Sequence, residues 1–435
     1  MKRQAQLLGR LETKSACVCV IGQGYVGLSL SVGAANAGME VVGMDIDAAR
    51  VERLSSGVVD VPGVDHALAL MALGSGRLSF ATDADAVASA DVVVICVPTP
   101  VADHGPDLSA IVTAATSVAA RLTSGTLVVL ESTTYPGTTE DVVLPLLETS
   151  GLKAGRDFAL AFSPERIDPG NSKFGLANTP RIVGGIDSAS TEVAAAFYSQ
   201  LVDSVHTVSN CRAAELAKLL ENTFRMVNIA LVNELAQLCS DQGIDTWEVI
   251  GAAATKPFGF MPFYPGPGVG GHCIPLDPAY LAWQSRRDTG RPYRLVELAM
   301  DINEAMPDYV VRRIGDALGD RGVTLRGARI FALGVTYKPN VGDLRESAAV
   351  DVIRKLHAKG AEVRFHDPFV ADLRAGGYSR SRSALTAAAL ARSDCVALLT
   401  PHDSYDLDWV VERAGLVFDA RNAMGGVRRP NVVPL

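Results

Sequence analysis

The chain lacks the features that mark membrane-spanning and nucleic-acid-binding proteins. No uncharged apolar run approaches about 18 residues, the shortest stretch that predicts a transmembrane helix. Lysine and arginine form no cluster, and the 48 acidic residues outnumber the 40 basic ones. We therefore expect neither a membrane nor a nucleic acid among its partners.

Cysteine is also scarce, with seven scattered residues in a chain of 435. No pair has the spacing of zinc ligands, and a disulfide framework is unusual at this length, so we expect neither a metal site nor disulfides. A polar leader precedes Cys17, and Glu12 and Lys14 stand where a signal peptide needs an apolar core. These patterns predict a cytoplasmic protein with reduced thiols.

What the chain does have is the composition of a folded protein. Hydrophobic residues make up 48% of it and charged residues 20%, which is typical of globular domains. Its length exceeds what one hydrophobic core usually supports, so two or three domains are expected.

A glycine-rich turn near the N-terminus follows the apolar run Cys17–Ile21, which is typical of a buried strand. The turn holds Gly22, Gly24 and Gly27 in the order G-x-G-x-x-G, and a helical pattern follows it. The first glycine permits a tight turn, the second lets the backbone approach a pyrophosphate, and the third allows close helix–strand packing. The sequence therefore predicts a dinucleotide-binding site at this turn.

An acidic residue at the end of the next predicted strand indicates which dinucleotide binds. Asp45 is placed to bond the ribose hydroxyls and to repel a 2′-phosphate, which favours NAD over NADP. Arg50 is expected on the adenine side of the cofactor.

Alternating apolar runs and helix-length segments predict the fold class, a doubly wound α/β protein with parallel sheets. Residues 213–242 have helical periodicity without proline or glycine, which predicts a long connecting helix. A second long helix is predicted over 295–318, interrupted at Met306–Pro307. The predicted domains are an N-terminal NAD-binding Rossmann domain (1–208), a central helical domain (209–324) and a C-terminal Rossmann-like domain (325–435).

The most informative segment lies near residue 270, where a cysteine ends a glycine-rich loop. Gly268, Gly270 and Gly271 precede Cys273, and Asp277 follows four residues later. Glycines let backbone come close to a ligand, and a thiol presented there can attack a carbonyl carbon. A dinucleotide bound at the first turn could oxidise an alcohol to an aldehyde, and the thiol could then add to that aldehyde. The two sites would thus serve one reaction.

Six segments in order resemble the UDP-glucose/GDP-mannose dehydrogenase family of nucleotide-sugar 6-dehydrogenases. They read VPTP (97–100), ESTTYPGT (131–138), SPER (163–166), ELAKLLEN (215–222), GVGGHCIPLD (268–277) and YKPNVGDLRES (337–347). The resemblance runs nearly end to end. It implies NAD-dependent oxidation of a sugar C6 alcohol to a carboxylate in two steps, by a dimer joined through the central helix.

The resemblance also implies a catalytic set. Cys273 would add to the aldehyde as a thiolate and then carry a thioester. Lys218 and Asn222, which share one face of the predicted helix at i and i+4, would hold the reacting oxygen. Asp277 would orient water or the lysine, and Glu165 is implied in hydrolysis of the thioester.

Further positions that match the family are implied to hold water or the two ligands. Thr133 would help to position the water. The cofactor-binding positions are Gly22, Gly24, Tyr25, Val26, Gly27, Asp45, Arg50, Pro98, Thr99, Ser132, Thr133 and Arg345. The substrate-binding positions are Glu165, Arg166, Lys218, Asn222, Tyr264, Gly268, Gly270 and Lys338. Lys256 is a candidate for a basic residue that reaches the partner subunit's site.

Each chemical assignment has a simpler alternative. Cys273 could be a packed thiol and Lys218 a surface lysine, the default for that residue type. Glu165 could form only an ion pair with the adjacent Arg166. His272 is interpreted as a loop contact and not as a base.

The substrate is predicted from segments 164–171, 256–260 and 271–275, which resemble the branch acting on UDP-N-acetylhexosamines. UDP-N-acetylglucosamine is favoured, with the N-acetylmannosamine, N-acetylgalactosamine and glucose nucleotides as alternatives. Asp168 and Pro169 stand where some relatives carry a second acid. Two other functions remain: a two-electron hydroxyacid dehydrogenase, which needs no reactive cysteine, and a non-catalytic NAD-binding protein.

Overall fold

The computed structural model describes residues 2–61, 63–102, 105–167, 171, 173–271, 273–425 and 429–435. They form two compact units, residues 1–221 and 222–435. In the part of the chain that the structure describes, no helix is long and apolar enough to cross a membrane.

A sheet of eight strands organises the first unit. Its strands and an additional two-stranded ribbon are β1 (Cys17–Ile21), β2 (Glu40–Met44), β3 (Leu78–Ala81), β4 (Val92–Ile95), β5 (Val101–Ala102), β6 (Gly105–Pro106), β7 (Leu127–Leu130), β8 (Ala159–Phe162), β9 (Arg181–Gly185) and β10 (Val205–Thr207). The order in the sheet is β10-β9-β8-β7-β4-β1-β2-β3. Among the described residues of this sheet, β8 and β9 form the one antiparallel pair, so the predicted doubly wound α/β fold is confirmed.

Helices cover both faces of this sheet. They are α1 (Lys2–Glu12), α2 (Tyr25–Asn36), α3 (Ala48–Ser55), α4 (His66–Gly74), α5 (Ser109–Ala119), α6 (Leu144–Glu148), α7 (Ser188–Tyr198) and the start of α8 (Cys211–Gln242), with a 3₁₀ turn at Asp85–Ser89 and a π-helical turn at Thr139–Val143. Alternate residues of one strand enter different cores: Val18 and Val20 pack with α1, α2 and α7, whereas Cys19 and Ile21 pack with α5 and α6. Strands buried on both faces explain the continuous apolar runs.

The N-terminal segment differs from the polar leader expected from the sequence, because residues 2–12 form helix α1. Leu7 and Leu11 lie four residues apart on one face, and both are buried in the core beneath the sheet. Arg10 forms an ion pair with Asp91 at 2.6 Å. Two buried leucines were too few to give a helical pattern in a segment otherwise rich in polar residues.

The second unit combines long helices with a smaller sheet. After α8, its elements are α9 (Thr246–Ala254), α10 (Asp277–Thr289), α11 (Arg294–Gly319), β11 (Arg329–Leu333), α12 (Ala348–Ala358), β12 (Glu362–His366), β13 (Asp372–Ala375), β14 (Tyr378–Ser381), α13 (Ala387–Ala391), β15 (Cys395–Leu398), α14 (Leu407–Arg413), β16 (Val417–Asp419) and β17 (Val432–Pro434). Parallel strands in the order β12-β11-β15-β16-β17 form the sheet. The predicted second α/β domain is therefore confirmed.

The interruption expected at Met306–Pro307 does not occur, because α11 runs unbroken through Pro307. A proline in a helix removes one backbone hydrogen bond and usually bends or ends it. Here the neighbouring turn is buried, since Met306 is 0% exposed. Packing on this buried stretch holds the helix together across the missing bond. Gly268 lies against the same turn, where a Cβ atom would stand 3.3 Å from the carbonyl oxygen of Asn303.

Candidate active site

The three glycines of the first glycine-rich turn differ in how closely other atoms surround them. Gly22 has φ +94°, and a Cβ atom there would lie 2.6 Å from the carbonyl oxygen of Cys96. At Gly27 a Cβ atom would lie 1.8 Å from the oxygen of Gly22, so only glycine lets α2 pack so closely on β1. Gly24, the residue before α2, has nothing within 4 Å of its Cβ position. The open side of the turn is therefore at Gly24, beside the amides and positive dipole end of α2.

Asp45 lies directly after β2 and faces this turn. Its Oδ2 accepts the backbone N–H of Gln23 at 2.8 Å, and its Oδ1 accepts the N–H of Asp47 at 3.0 Å. Arg50 donates to Oδ2 at 3.0 Å, so it pairs with this carboxylate. The side chain of Ile46 is 87% exposed, an unusual position for isoleucine and one the sequence analysis missed.

Two loops that follow neighbouring strands are tied together beside the turn. Thr99, after β4, donates its hydroxyl hydrogen to the carbonyl of Thr133, after β7, at 2.6 Å. Ser132 donates to the carbonyl of Val97 at 2.7 Å. Pro98 is exposed between them. Because the carboxyl ends of parallel strands meet at one edge, these predicted cofactor-binding residues lie at the same edge as the glycine turn.

Glu165 is held inside the first unit by a group that the sequence analysis did not name. The carboxylate is 5% exposed and accepts from Arg181 at 3.3 Å and from the backbone N–H of Ile167. The suggested ion pair with Arg166 is absent, because Arg166 pairs instead with Glu221 at 2.7 Å. The neighbouring Asp168 and Pro169 lie outside the described residues.

Arg181 begins β9 and joins Glu165 to a second buried carboxylate. Its guanidinium forms an ion pair with Glu131, which also accepts the hydroxyl hydrogen of Tyr198 at 2.9 Å. Burial is the largest influence on Glu131 and raises its pKa to about 7, against the lowering effect of Arg181. Burial and Glu131 likewise raise the pKa of the Cys96 thiol well above its usual range.

Helix α8 is anchored by a buried acid near its start. Glu215, 0% exposed, accepts the backbone N–H groups of Gly137 at 2.5 Å and Thr139 at 2.9 Å. Lys218 lies three residues further along α8 and is only 7% exposed, so it is not the surface lysine offered as an alternative. Asn222, four residues beyond Lys218 on this continuous helix, is also 7% exposed.

In the second unit the structure brings Asn222 and Asp277 together. The Asn222 amide donates to Oδ2 of Asp277 at 2.5 Å, and Asp277 is 2% exposed. Asp277 opens α10, and its backbone N–H bonds the carbonyl of Cys273 at 2.9 Å. Cys273 is partly accessible and stands just before a helix N-terminus, which favours negative charge. His272 lies outside the described residues.

The loop before the cysteine is held by buried asparagines. The backbone N–H of Gly266 bonds Oδ1 of Asn233 on α8 at 3.0 Å, and Asn233 donates to Asn303 on α11 at 2.9 Å. Tyr264 stacks on Trp247 with ring centroids 5.7 Å apart, and is 55% exposed. The loop therefore presents an accessible aromatic ring on a backbone that is held in place by the hydrogen bond from Gly266 to Asn233.

Residues 337–347 pack on the glycines of the cysteine loop. The N–H of Gly271 bonds the carbonyl of Arg345 at 3.1 Å, and Cβ atoms at Gly270 and Gly271 would each lie 2.8 Å from Tyr337. Lys338 is half-buried beside the ring of Tyr337. The Arg345 side chain is 52% exposed and pairs with Asp343 at 2.6 Å.

Arg421, in the second unit, is a residue that the sequence analysis did not name. The guanidinium of Arg421, after β16, stands where a Cβ atom on Gly266 would clash at 2.5 Å, and it donates to the Leu399 carbonyl at 3.4 Å. No ion pair of Arg421 occurs among the described residues. Burial lowers its pKa to about 10. The available signal was an arginine two residues after Asp419, the acidic residue that ends β16.

Three models of one family match successive parts of the chain. They describe the NAD binding domain (residues 16–202), the central domain (212–305) and the UDP binding domain (331–426) of the UDP-glucose/GDP-mannose dehydrogenase family. The chain belongs to this family. The predicted family, the NAD cofactor and the class of NAD-dependent nucleotide-sugar dehydrogenase are thereby confirmed.

Relatives of known name match most of this dehydrogenase. The UDP-N-acetyl-D-glucosamine 6-dehydrogenase of Pseudomonas aeruginosa is 38% identical over 360 residues, which cover 82% of this chain and 84% of that protein. The UDP-N-acetyl-D-mannosamine dehydrogenase of Pyrococcus horikoshii is 37% identical over 355 residues, covering 81% and 84%. A solved structure of UDP-D-ManNAc dehydrogenase from Pyrococcus horikoshii matches with a TM-score of 0.87 and 32% identity, covering 96% of this chain and 98% of that one.

The first turn fits NAD on its own geometry. The space at Gly24 admits a pyrophosphate to the N-terminus of α2, and the Asp45 carboxylate ends the next strand as ribose recognition requires. The corresponding acid of the second sheet, Asp367, accepts the N–H of Val335 but is sealed against His402, both 0% exposed. The two acids differ in burial, since Asp45 is 7% exposed whereas Asp367 is 0% exposed.

Proposed function

We propose that this dehydrogenase oxidises the C6 alcohol of a UDP-N-acetylhexosamine to the uronate, through a thioester on Cys273. The observation that carries the proposal is the placement of Cys273 at the end of a glycine-rich loop, just before α10 and beside the Asn222–Asp277 hydrogen bond. A packed structural thiol would need neither a permissive loop nor a helix N-terminus.

Binding of the two ligands follows from the parts described above. The turn at Gly24, with Asp45 and the loops carrying Thr99 and Ser132, would hold NAD, which supplies the hydride acceptor when bound. For the nucleotide sugar we propose Lys338 and Arg421 on the anionic diphosphate, because both present cationic groups beside the glycine loop. The exposed ring of Tyr264 would lie along the sugar. The remaining proposed cofactor positions are Gly22, Tyr25, Val26, Gly27, Arg50, Pro98, Thr133 and Arg345.

The first oxidation needs a base, or a relayed water, to take the alcohol proton, and a group that stabilises the negative charge developing on the C6 oxygen. We assign this role to Lys218, whose buried ammonium is a strong electrostatic partner for an alkoxide. Asn222 would donate a hydrogen bond to the same oxygen. Asp277, which accepts from the Asn222 amide, fixes the orientation of that donor.

The second oxidation and the hydrolysis need the thiolate and a base. The Cys273 sulfur would add to the aldehyde carbon, and loss of a second hydride from the resulting thiohemiacetal would leave a thioester. A water positioned by Thr133 would then attack the thioester carbon, giving its proton to Glu165, and the C–S bond would break to restore the thiolate.

Among the sugars, we propose UDP-N-acetylglucosamine first. The segments at 164–171, 256–260 and 271–275 favour the N-acetylhexosamine branch, and the P. aeruginosa relative bears that substrate in its name. The N-acetylmannosamine nucleotide is the next candidate, since the P. horikoshii relatives are named for it.

We also propose a cytoplasmic homodimer joined through α8, with the domains divided at 1–208, 209–324 and 325–435. Large apolar side chains lie exposed along this helix, as an interface would require. They are Leu216, Leu220, Phe224, Leu231 and Leu238. Lys256 is proposed to reach the partner subunit's site.

A substrate comparison tests the proposal. NADH formation would be followed with the UDP derivatives of N-acetylglucosamine, N-acetylmannosamine, N-acetylgalactosamine and glucose. The highest kcat/KM is expected with the N-acetylglucosamine nucleotide. A higher value for another sugar would reassign the substrate, and no NADH with any of the four would contradict the proposed reaction.

A further inference from the structure

One buried group of charges in the first unit is not explained by the proposed chemistry alone. Arg181 forms ion pairs with both Glu131 and Glu165, and all three side chains are at most 6% exposed. They come from three different places: the ends of β7 and β8 and the first residue of β9. A single guanidinium therefore connects a proposed catalytic carboxylate, Glu165, to a second carboxylate, Glu131, that has no assigned part in the proposed chemistry.

Further contacts among the described residues hold the Arg181 side chain in place. It donates to the carbonyl of Pro164 at 2.9 Å, and its guanidinium lies 5.0 Å from the ring centre of Tyr198. Its Nε atom is buried without a hydrogen-bond partner among the described residues. A cation so enclosed cannot swing away from Glu165, as a lysine or a surface arginine could.

The charges of the group do not balance. Two carboxylates and one guanidinium carry a net charge of −1, and isolated buried charge is strongly disfavoured. The other groups that face Glu131 are Tyr198 and Cys96, whose own pKa values are raised well above their usual ranges by burial. Neither supplies a positive charge, so uptake of one proton by a carboxyl group relieves the imbalance.

We propose that Arg181 is a positioning residue for Glu165, and that Glu131 assists it by taking up the proton that would otherwise neutralise Glu165. This inference rests on the proposed role of Glu165 in hydrolysis. With Glu131 neutral, the whole guanidinium charge faces Glu165 and keeps it ionised. Glu165 accepts hydrogen bonds from Arg181 and from the backbone N–H of Ile167, which fix the orientation of its carboxylate.

The variant Glu131→Gln tests the proposal without disturbing the shape of the core. It holds this position in the neutral form that the proposal assigns to Glu131. The acidic limb of the kcat profile for NADH formation should therefore stay in place, whereas a limb that moves down by about one pH unit or more would mean that Glu165 holds the shared proton. Glu148→Gln is the matched control, because that carboxylate pairs with Lys153 in the same unit; its limb should stay in place.

A second variant, Arg181→Lys, keeps the positive charge but lacks the guanidinium group, whose separate nitrogens contact the two carboxylates. Hydrolysis of the thioester should slow on the order of 100-fold, so that the protein accumulates a covalent sugar-nucleotide adduct visible by intact mass. The KM for NAD should be unchanged.

The outcomes separate the inference from the function on which it rests. Turnover with an acidic limb moved down in Glu131→Gln would overturn the inference alone, as would an Arg181→Lys variant that forms no adduct. Absence of NADH from the wild type with every sugar nucleotide would overturn both.

Discussion

At the scale of single residues, Glu131 ties the stability of the first unit to pH. Its pKa is raised from 4.5 to about 7, chiefly by burial. A proton on Glu131 therefore stabilises the folded state below about pH 4.5, and this contribution is lost as the pH rises through about 7. Relative to Glu131→Gln, the wild type should lose about 3 kcal/mol of unfolding free energy across that window.

Denaturant unfolding of both proteins at several pH values measures the difference. The Glu148→Gln variant serves as control, because a hydrogen bond from Lys153 lowers the pKa of Glu148 and gives no such loss. A constant difference between wild type and Glu131→Gln from pH 4.5 to 7 would show that Glu131 titrates normally.

Single residues also show where sequence reasoning stops. Gly22, Gly24 and Gly27 were predictable because backbone conformation and close packing demand glycine at fixed spacing. Arg181 and Arg421 were not, since arginine is normally exposed and only tertiary packing buries it. The simpler alternative for Glu165 named its neighbour Arg166 as ion-pair partner, whereas the observed partner, the buried Arg181, lies sixteen residues away.

At the scale of elements, the loop before Cys273 depends on the helices α8 and α11 that hold it in place. Asn233 on α8 connects the backbone of Gly266 to Asn303 on α11. Replacing Asn233 with leucine would leave two buried polar groups unsatisfied, at a cost of about 1–3 kcal/mol each. The loosened loop should raise the KM for the sugar nucleotide while the KM for NAD stays constant.

The exposed-side residue Asn228 on the same helix provides the control. Within the described part of the chain its amide bonds only the carbonyl of Phe224 in α8, so Asn228→Leu should leave both KM values within about twofold, a free-energy change below about 0.5 kcal/mol. Steady-state kinetics and thermal unfolding of the two variants make the comparison. Equal effects of the two substitutions would remove Asn233 from the support of the loop.

Elements with strong patterns were predictable, and elements shaped by their surroundings were not. Helix α8 begins and ends within two residues of the prediction, because thirty residues without proline or glycine leave little choice. The interruption expected at Pro307 was wrong, since buried contacts of α11 outweigh one lost hydrogen bond. Strand β17 lies in the last residues of the chain and is too short to give an alternating pattern.

At the scale of the whole molecule, the exposed apolar stripe on α8 predicts the state of assembly. Phe224, Leu231 and Leu238 repeat every seven residues and are 47–61% exposed. The double variant Leu231→Glu/Leu238→Glu places charge on this stripe and should convert a dimer to a monomer. Sedimentation equilibrium gives the mass directly.

A control at an unrelated apolar surface distinguishes a specific interface from general solubility. Met71 on α4 is 55% exposed and lies in the first unit away from α8 in sequence. Met71→Glu should leave the mass unchanged. A wild-type monomer, or a dimer that survives both α8 substitutions, would place the subunit contact elsewhere or remove it.

The central claim is that one chain performs two successive oxidations through a thioester on Cys273. The most direct test counts the NADH formed per sugar nucleotide at completion, for the wild type and for Cys273→Ser. We predict two NADH per sugar for the wild type and loss of sustained turnover in the variant. One NADH per sugar from the wild type, or two from the serine variant at an undiminished rate, would contradict the thioester route.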